Sequence, residues 1–171
     1  PIVAPWGGNI AGVGGTTRRR GPRAVVIAAG ARPFVPPIPG IEDVGYLTSD
    51  TVWNLRELPK RLVVLGGGPI GCELTQAFAR FGAQVTQVEM AARIMIREDP
   101  GVSDIVTRRF SAEGIAVLVN HRAKAFVIEN GEKVLVTEYQ GRDARIPFDA
   151  VLVAVGRSAN LKGFGLEKLG I

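Results

Sequence analysis

Four glycines in six positions, Gly66–Gly67–Gly68–Pro69–Ile70–Gly71, constrain this chain more than any other feature. They follow a β-branched run, RLVVL at 61–65, and precede a stretch where Ile70, Leu74, Ala77, Phe78 and Phe81 recur at helical spacing. The first reads as a buried strand, the second as a helix over 69–81 with one apolar stripe, stopped by Gly82. A second alternating strand, QVTQVE, follows at 84–89. The glycine spacing alone, G-x-G-x-x-G, is a weak signal. Between a strand and a helix, with the carboxylate of Glu89 18 positions beyond Gly71, it carries the context of a dinucleotide-binding turn. Gly66 then permits the tight turn, Gly68 lets the backbone approach a pyrophosphate, and Gly71 lets the helix pack close to the strand. The helix N-terminus offers N–H groups and positive dipole to the phosphates. Glu89 stands where a carboxylate accepts from adenosine ribose hydroxyls, which favours NAD(H) over NADPH. Arg93 and Arg97 follow it and work the other way. A glycine turn without ligand, and a solvated charge at a strand end, are the plainer accounts.

Along the rest of the chain, residues 1–23 are rich in Gly, Thr and Arg and show no helical period. AVVIAA at 24–29 reads as a buried strand. ARPFVPPIPG at 31–40 holds four prolines, so it is an extended crossover. TSDTVWNLRE at 48–57 predicts a short helix ahead of Pro59. Asp99–Pro100 opens another helix to about 113, with Val102, Ile105, Val106 and Phe110 on one face, and 115–119 is a strand. Two alternating runs at 122–147 meet at Asn130–Gly131, the strongest short-range hairpin signal, and 141–147 offers a third antiparallel strand. AVLVAV at 150–155 fits a central parallel strand. The predicted architecture is α/β: a parallel sheet wrapped by helices, interrupted by an antiparallel meander.

Composition narrows the function. Hydrophobic residues at 46% and charged residues at 22% exclude disorder as the main state. One cysteine, Cys72, and one histidine, His121, exclude a disulfide framework, an intrachain redox pair and a cysteine-rich zinc site, and no metal is expected. Cys72 reads as a packing residue and His121 as a structural one. No apolar run approaches the roughly 18–20 residues that span a bilayer, and no signal peptide is visible, so the expectation is a cytoplasmic chain off the membrane. Net charge is +5, but the basic residues are scattered apart from 18–20 and 108–109, and aromatics are only 6%. Nucleic acid is not an expected partner; a mildly basic surface also suits a phosphate-bearing ligand. The chain opens at Pro1 and reads as a piece of something longer.

GGGPIGCE, VTQVE and DAVLVAVGRSANL resemble the pyridine-nucleotide domain of the flavin-dependent disulfide oxidoreductases, the mercuric-reductase and dihydrolipoamide-dehydrogenase branch above all. AVVIAAGARPFVPPIPGI resembles the segment that returns from their FAD domain. The resemblance covers about residues 9–171. It implies a Rossmann-like FAD/NAD(P)-binding three-layer fold, with 1–45 a remnant of the FAD domain, 46–157 the NAD(H) domain and 158–171 the start of the return. It implies that Gly66, Gly67, Gly68, Pro69, Ile70, Gly71, Glu73, Glu89, Ala123 and Gly156 face NAD(H). Ala29, Gly30, Ala31 and Arg157 would serve FAD in the parent. For Glu73 a nicotinamide or flavin contact and simple first-turn electrostatics fit equally well; for Arg157, flavin support and a loop role do. The parent implied is a homodimer that passes hydride from NADH through FAD to a cysteine pair and on to a small-molecule substrate. This chain holds neither that pair nor the family's first glycine fingerprint, so alone it is expected to be inactive. It also departs at Pro69, where many members carry an aromatic lid, and at Ala159, where proline is usual. Two other functions remain open on sequence: a non-catalytic NAD-sensing module, which has no need of the proline-rich return segment, and an NADH-dependent flavoprotein reductase without a redox disulfide.

Overall fold

The computed structural model describes residues 2–4, 7–20 and 26–170. The chain forms two compact units, Pro1–Arg32 with Ser158–Ile171, and Pro33–Arg157.

In the first unit β1 (Ile2–Ala4), β2 (Gly7–Gly12) and β3 (Gly15–Arg20) make an antiparallel meander in a stretch where no period was legible. The strand expected over 24–29 does not form where it is described. Residues 26–30 have no regular structure and Val26 is 88% exposed. Among the described residues no strand pairs with this stretch, and a lone strand leaves its peptide groups without partners. Residues 24 and 25 lie outside the described ones.

The second unit begins in β4 (Ala31–Pro33) and runs, extended through its prolines, to the short helix α1 (Ile41–Val44). There follow β5 (Leu47–Thr48), a 3-10 turn at Val52–Asn54, β6 (Arg61–Leu65), helix α2 (Pro69–Arg80), β7 (Gln84–Val88), helix α3 (Pro100–Ala112) and β8 (Ala116–Leu118). Strands β9 (Arg122–Glu129), β10 (Glu132–Tyr139) and β11 (Arg142–Phe148) then form the meander, before β12 (Ala150–Val153) and β13 (Arg157–Ala159). The five-stranded sheet has order β5-β12-β6-β7-β8 and every pairing in it is parallel. The fold is the α/β class expected, with its antiparallel crossover in place.

The helix expected over 48–57 shrinks to the single 3-10 turn. The Thr51 hydroxyl accepts from the Thr48 N–H at 2.9 Å, and such local bonds compete with a helix. Leu47 and Thr48 instead pair with Leu152 and Val153 on the sheet edge.

Three layers result. Alternate residues of β6 and β12 point to opposite faces: Val63, Leu65, Val151 and Val153 pack with Phe126, Leu135 and Phe148 of the meander, while Leu62, Val64 and Leu152 pack toward α2. Phe126 and Phe148 meet edge to face at 5.8 Å. The helices bury part of the predicted apolar stripes, Leu74 and Phe78 of α2 and Val106 and Phe110 of α3, together with small residues beside them. On α2 the most deeply buried residues are Gly71, Cys72 and Thr75, while Ile70 and Phe81 are exposed at 38% and 72%. On α3 they are Ser103 and Phe110, while Val102 and Ile105 are exposed. Small side chains let each helix lie close to its neighbours, and closeness decides which side turns inward.

Candidate nucleotide site

The glycine turn sits at the carboxyl ends of β6 and β7, and almost every contact that shapes it involves backbone. Gly66 has φ +111°, a conformation that suits glycine, and a Cβ there would lie 2.5 Å from the Ala154 carbonyl oxygen at the end of β12. A Cβ on Gly71 would lie 2.3 Å from the Gly66 carbonyl oxygen. That contact brings the first turn of α2 onto the end of β6. At Gly67 a Cβ would meet Ile94 Cγ2 at 2.8 Å and the Glu89 side chain at 3.0 Å. Gly68 differs from all three: a Cβ there would find no atom within 4 Å. It is the N-cap of α2, with extended backbone at φ −76° and ψ 178°, and Pro69 follows as the first helical residue. The cradle therefore has three walls fixed by the chain and one side left open at the mouth of a helix.

Glu89 closes the far side. Its Oε2 accepts from the Gly67 N–H at 2.6 Å and its Oε1 from the Ala91 N–H at 2.7 Å. Each carboxylate oxygen accepts about two hydrogen bonds, so both retain capacity for a hydroxyl donor. Its own backbone is held by neighbouring strands: the Glu89 N–H donates to the Leu118 carbonyl at 2.9 Å, and the His121 N–H donates to the Glu89 carbonyl at 3.0 Å.

The other residues singled out in the sequence each have contacts of their own. Glu73 is exposed in the first turn of α2. Ala123, half-buried at the start of β9, follows two positions after His121. Gly156, at φ +134°, lies two residues beyond Ala154, the residue packed on Gly66. Ala29 and Gly30 are tied to Asn160, whose side-chain amide and N–H donate to their carbonyls at 3.0 Å and 3.0 Å; Ala31 begins β4. Arg157 donates to the Ser49 hydroxyl at 2.9 Å and to Asp50 at 3.1 Å. His121 is structural in its contacts. Its Nδ1–H donates to the Val119 carbonyl at 2.8 Å and its ring stacks on Tyr139 at 4.5 Å.

One residue that the sequence did not mark shapes the turn from beneath. Gln87, fully buried on β7, donates from Nε2 to the Gly66 carbonyl at 3.0 Å and lies 3.5 Å from Cys72 Sγ. Burial pushes the Cys72 thiol up, and the carboxylates of Glu89 and Glu73 add to the shift, so a thiolate is disfavoured despite the helix N-terminus. A glutamine among β-branched strand residues was the only available signal. Arg93, which the sequence sets against the NAD(H) preference of Glu89, is turned onto its own loop instead. Its guanidinium donates to the carbonyls of Met95, Ile96 and Glu98.

The pyridine nucleotide-disulphide oxidoreductase model matches residues 9–171. The chain belongs to that family. Among family relatives, it is 39% identical over 146 residues to a mercuric reductase of Acidithiobacillus ferrooxidans, covering 85% of this chain and 26% of that protein. It is 33% identical over 147 residues to a dihydrolipoyl dehydrogenase of Bacillus subtilis (strain 168), covering 86% of this chain and 32% of the relative. A solved family fold, the HOCl-induced flavoprotein disulfide reductase RclA from Escherichia coli, superposes with a TM-score of 0.76 at 32% identity, over 91% of this chain and 35% of that one. The family fold is the Rossmann-like FAD/NAD-binding one, and this chain shares it. Among the described residues no helix is long and apolar enough to cross a membrane.

Proposed function

We propose that the chain is the NADH-binding part of a flavin-dependent disulfide or mercuric-ion oxidoreductase, with residues 46–157 as the NAD(H) domain. On this reading 1–45 and 158–171 belong to the FAD side, with Ala29, Gly30 and Ala31 serving FAD together with Arg157 at the end of the NAD(H) domain, and the whole enzyme is a cytoplasmic homodimer acting on a small molecule. The observation that carries the reading is Gly68. It is the one glycine of the turn whose missing Cβ would meet no atom within 4 Å among the described residues, and it stands at a helix mouth. Steric need within the fold accounts for Gly66, Gly67 and Gly71. A ligand brought close to the backbone accounts for Gly68.

When bound, NADH would supply a hydride for FAD; the chain's own residues would bind and orient. The first-turn N–H groups of α2 and its dipole favour the pyrophosphate. Glu89, already held by Gly67 and Ala91, is preorganised to accept from the ribose hydroxyls, while Ala123, Gly156 and Glu73 line the way to the nicotinamide. The inward commitment of Arg93 removes one of the two cations that would favour NADPH, leaving exposed Arg97.

Paired calorimetric titrations with NADH and NADPH test this. Charge-assisted hydrogen bonds contribute about 1.5–3 kcal/mol, so a preference for NADH of about tenfold or more is expected. Glu89→Gln keeps an acceptor for the Gly67 N–H and removes the charge, and should narrow the gap. Equal affinity of the wild type for both nucleotides would remove the NADH assignment.

A further inference from the structure

Arg93 lies half-buried against the loop it belongs to. Its Nη1 donates to the Met95 carbonyl at 2.8 Å, and its Nη2 to the carbonyls of Ile96 at 3.0 Å and Glu98 at 2.9 Å. The Glu98 N–H returns to the Met95 carbonyl at 2.9 Å. Met95 itself has φ +53°, uncommon for a residue with a side chain, so the surroundings must hold it there. One consequence of that conformation is on the page: the Met95 N–H donates to the Gly67 carbonyl at 2.6 Å. Beside it Ile94 is fully buried against Gly67, and its carbonyl accepts from the Ser103 hydroxyl at 2.8 Å.

We propose that Arg93 is a positioning residue for nucleotide binding, acting through Met95 on the Gly67–Gly68 peptide. This rests on the reading of the glycine turn as the nucleotide cradle. A trans peptide is planar, and its C=O and N–H point in opposite directions. Fixing the Gly67 carbonyl toward Met95 therefore fixes the Gly68 N–H away from the loop. Gly67 is gripped twice, at its N–H by Glu89 and at its carbonyl by Met95, so both peptides flanking it are set before a ligand arrives. A guanidinium suits this task because its fork reaches three carbonyls of one turn; an ammonium lacks that planar fork. The role differs in kind from reading a 2′-phosphate. A phosphate reader discriminates between NADH and NADPH, whereas a residue that sets the cradle affects both alike.

The test uses Arg93→Met, Arg93→Lys and, as control, Arg97→Met in the full chain. Met95 amide hydrogen exchange is followed by NMR without ligand, and NADH and NADPH are then titrated by calorimetry. Arg93→Met should speed Met95 exchange and weaken both nucleotides by a similar factor, about tenfold, with their ratio kept. Arg93→Lys should recover part of both effects, and Arg97→Met should leave Met95 exchange unchanged. Loss of NADPH affinity alone would make Arg93 a phosphate reader and overturn the proposal. So would unchanged exchange and unchanged affinities in Arg93→Met. Should Arg93→Met fail to fold, the same readouts on Arg93→Lys decide. A wild type that binds neither nucleotide would sink the reading of the cradle, and the exchange rates then judge the Arg93–Met95 clasp by itself.

Discussion

The glycine turn and the antiparallel meander solve the same problem, holding a chain reversal against the sheet, by opposite means. In the turn the margins are backbone against backbone: a Cβ on Gly66 or Gly71 would meet a carbonyl oxygen at 2.5 or 2.3 Å. In the meander the reversals at Asn130–Gly131 and Gln140–Gly141 take positive φ at both residues, a Cβ on either glycine would meet no atom within 4 Å among the described residues, and the outer face is laced by side-chain ion pairs. Lys124 meets Asp143 at 2.7 Å, Arg145 meets Glu129 at 3.2 Å, and Arg122 pairs with Glu138. Backbone margins cannot relax, whereas exposed side chains can swing away. The turn should therefore be brittle and the meander tolerant.

The widest separation is expected at Gly66→Ala. A strained φ and a clash with the Ala154 carbonyl act together, and the cost is on the order of 3 kcal/mol. At this chain length that lowers the thermal midpoint by roughly 6–12 °C. A melt within 2 °C of wild type would show that the turn gives way more easily than its geometry implies. Gly68→Val sharpens the contrast within the same turn. Its Cβ would meet no atom within 4 Å among the described residues, so the melt should move little while NADH affinity falls about tenfold or more. Affinity equal to wild type would remove the phosphate cradle.

Glu113 gives a smaller effect, visible only with pH. It joins the ends of the two long helices, accepting from Gln76, Arg80 and Arg109. The Arg80 guanidinium above all holds its carboxyl down at about 2, against an ordinary value of 4.5. A depressed carboxylate contributes stability above its ordinary value and loses it as pH falls toward the folded one. The midpoint difference between wild type and Glu113→Gln should therefore be present at pH 7 and fade between about pH 4.5 and 2. A pH-independent difference would mean the charge plays no part. Smallest of all, Lys124→Ala in the meander should change stability by less than about 0.5 kcal/mol, as exposed pairs usually do. A larger loss would end the claim that this face is tolerant.

The same contrast explains what could be read from the sequence. Strands β6, β7 and β8 and both hairpins were legible because β-branched alternation and Asn-Gly act locally. The helix ends were legible because Asp99 caps α3, accepting from the Gly101 N–H at 2.7 Å, and Gly82 follows α2 at φ +106°. The helix faces were legible in part. Hydrophobic spacing turned Leu74, Phe78, Val106 and Phe110 inward, where they pack, but it also nominated Ile70, Phe81, Val102 and Ile105, which are exposed, and missed Gly71, Cys72, Thr75 and Ser103. In the site, the glycines and Glu89 were legible because their pattern is the chemistry itself. The parts played by Gln87 and Arg93 were not, since a buried amide, or a guanidinium held by its own loop, is recognised by the carbonyls around it, and those come from folding.

The ends of the larger unit bear one more consequence. The Phe34 N–H donates to the Gly156 carbonyl at 2.9 Å, so the chain enters and leaves Pro33–Arg157 side by side. A body whose entrance and exit touch imposes no span on whatever carries it. It can be spliced into a surface loop, or excised and the gap sealed by a few residues, without stretching either piece. Its modularity lies in that one doorway, and a lineage could trade such a cassette between hosts while leaving its interior unchanged.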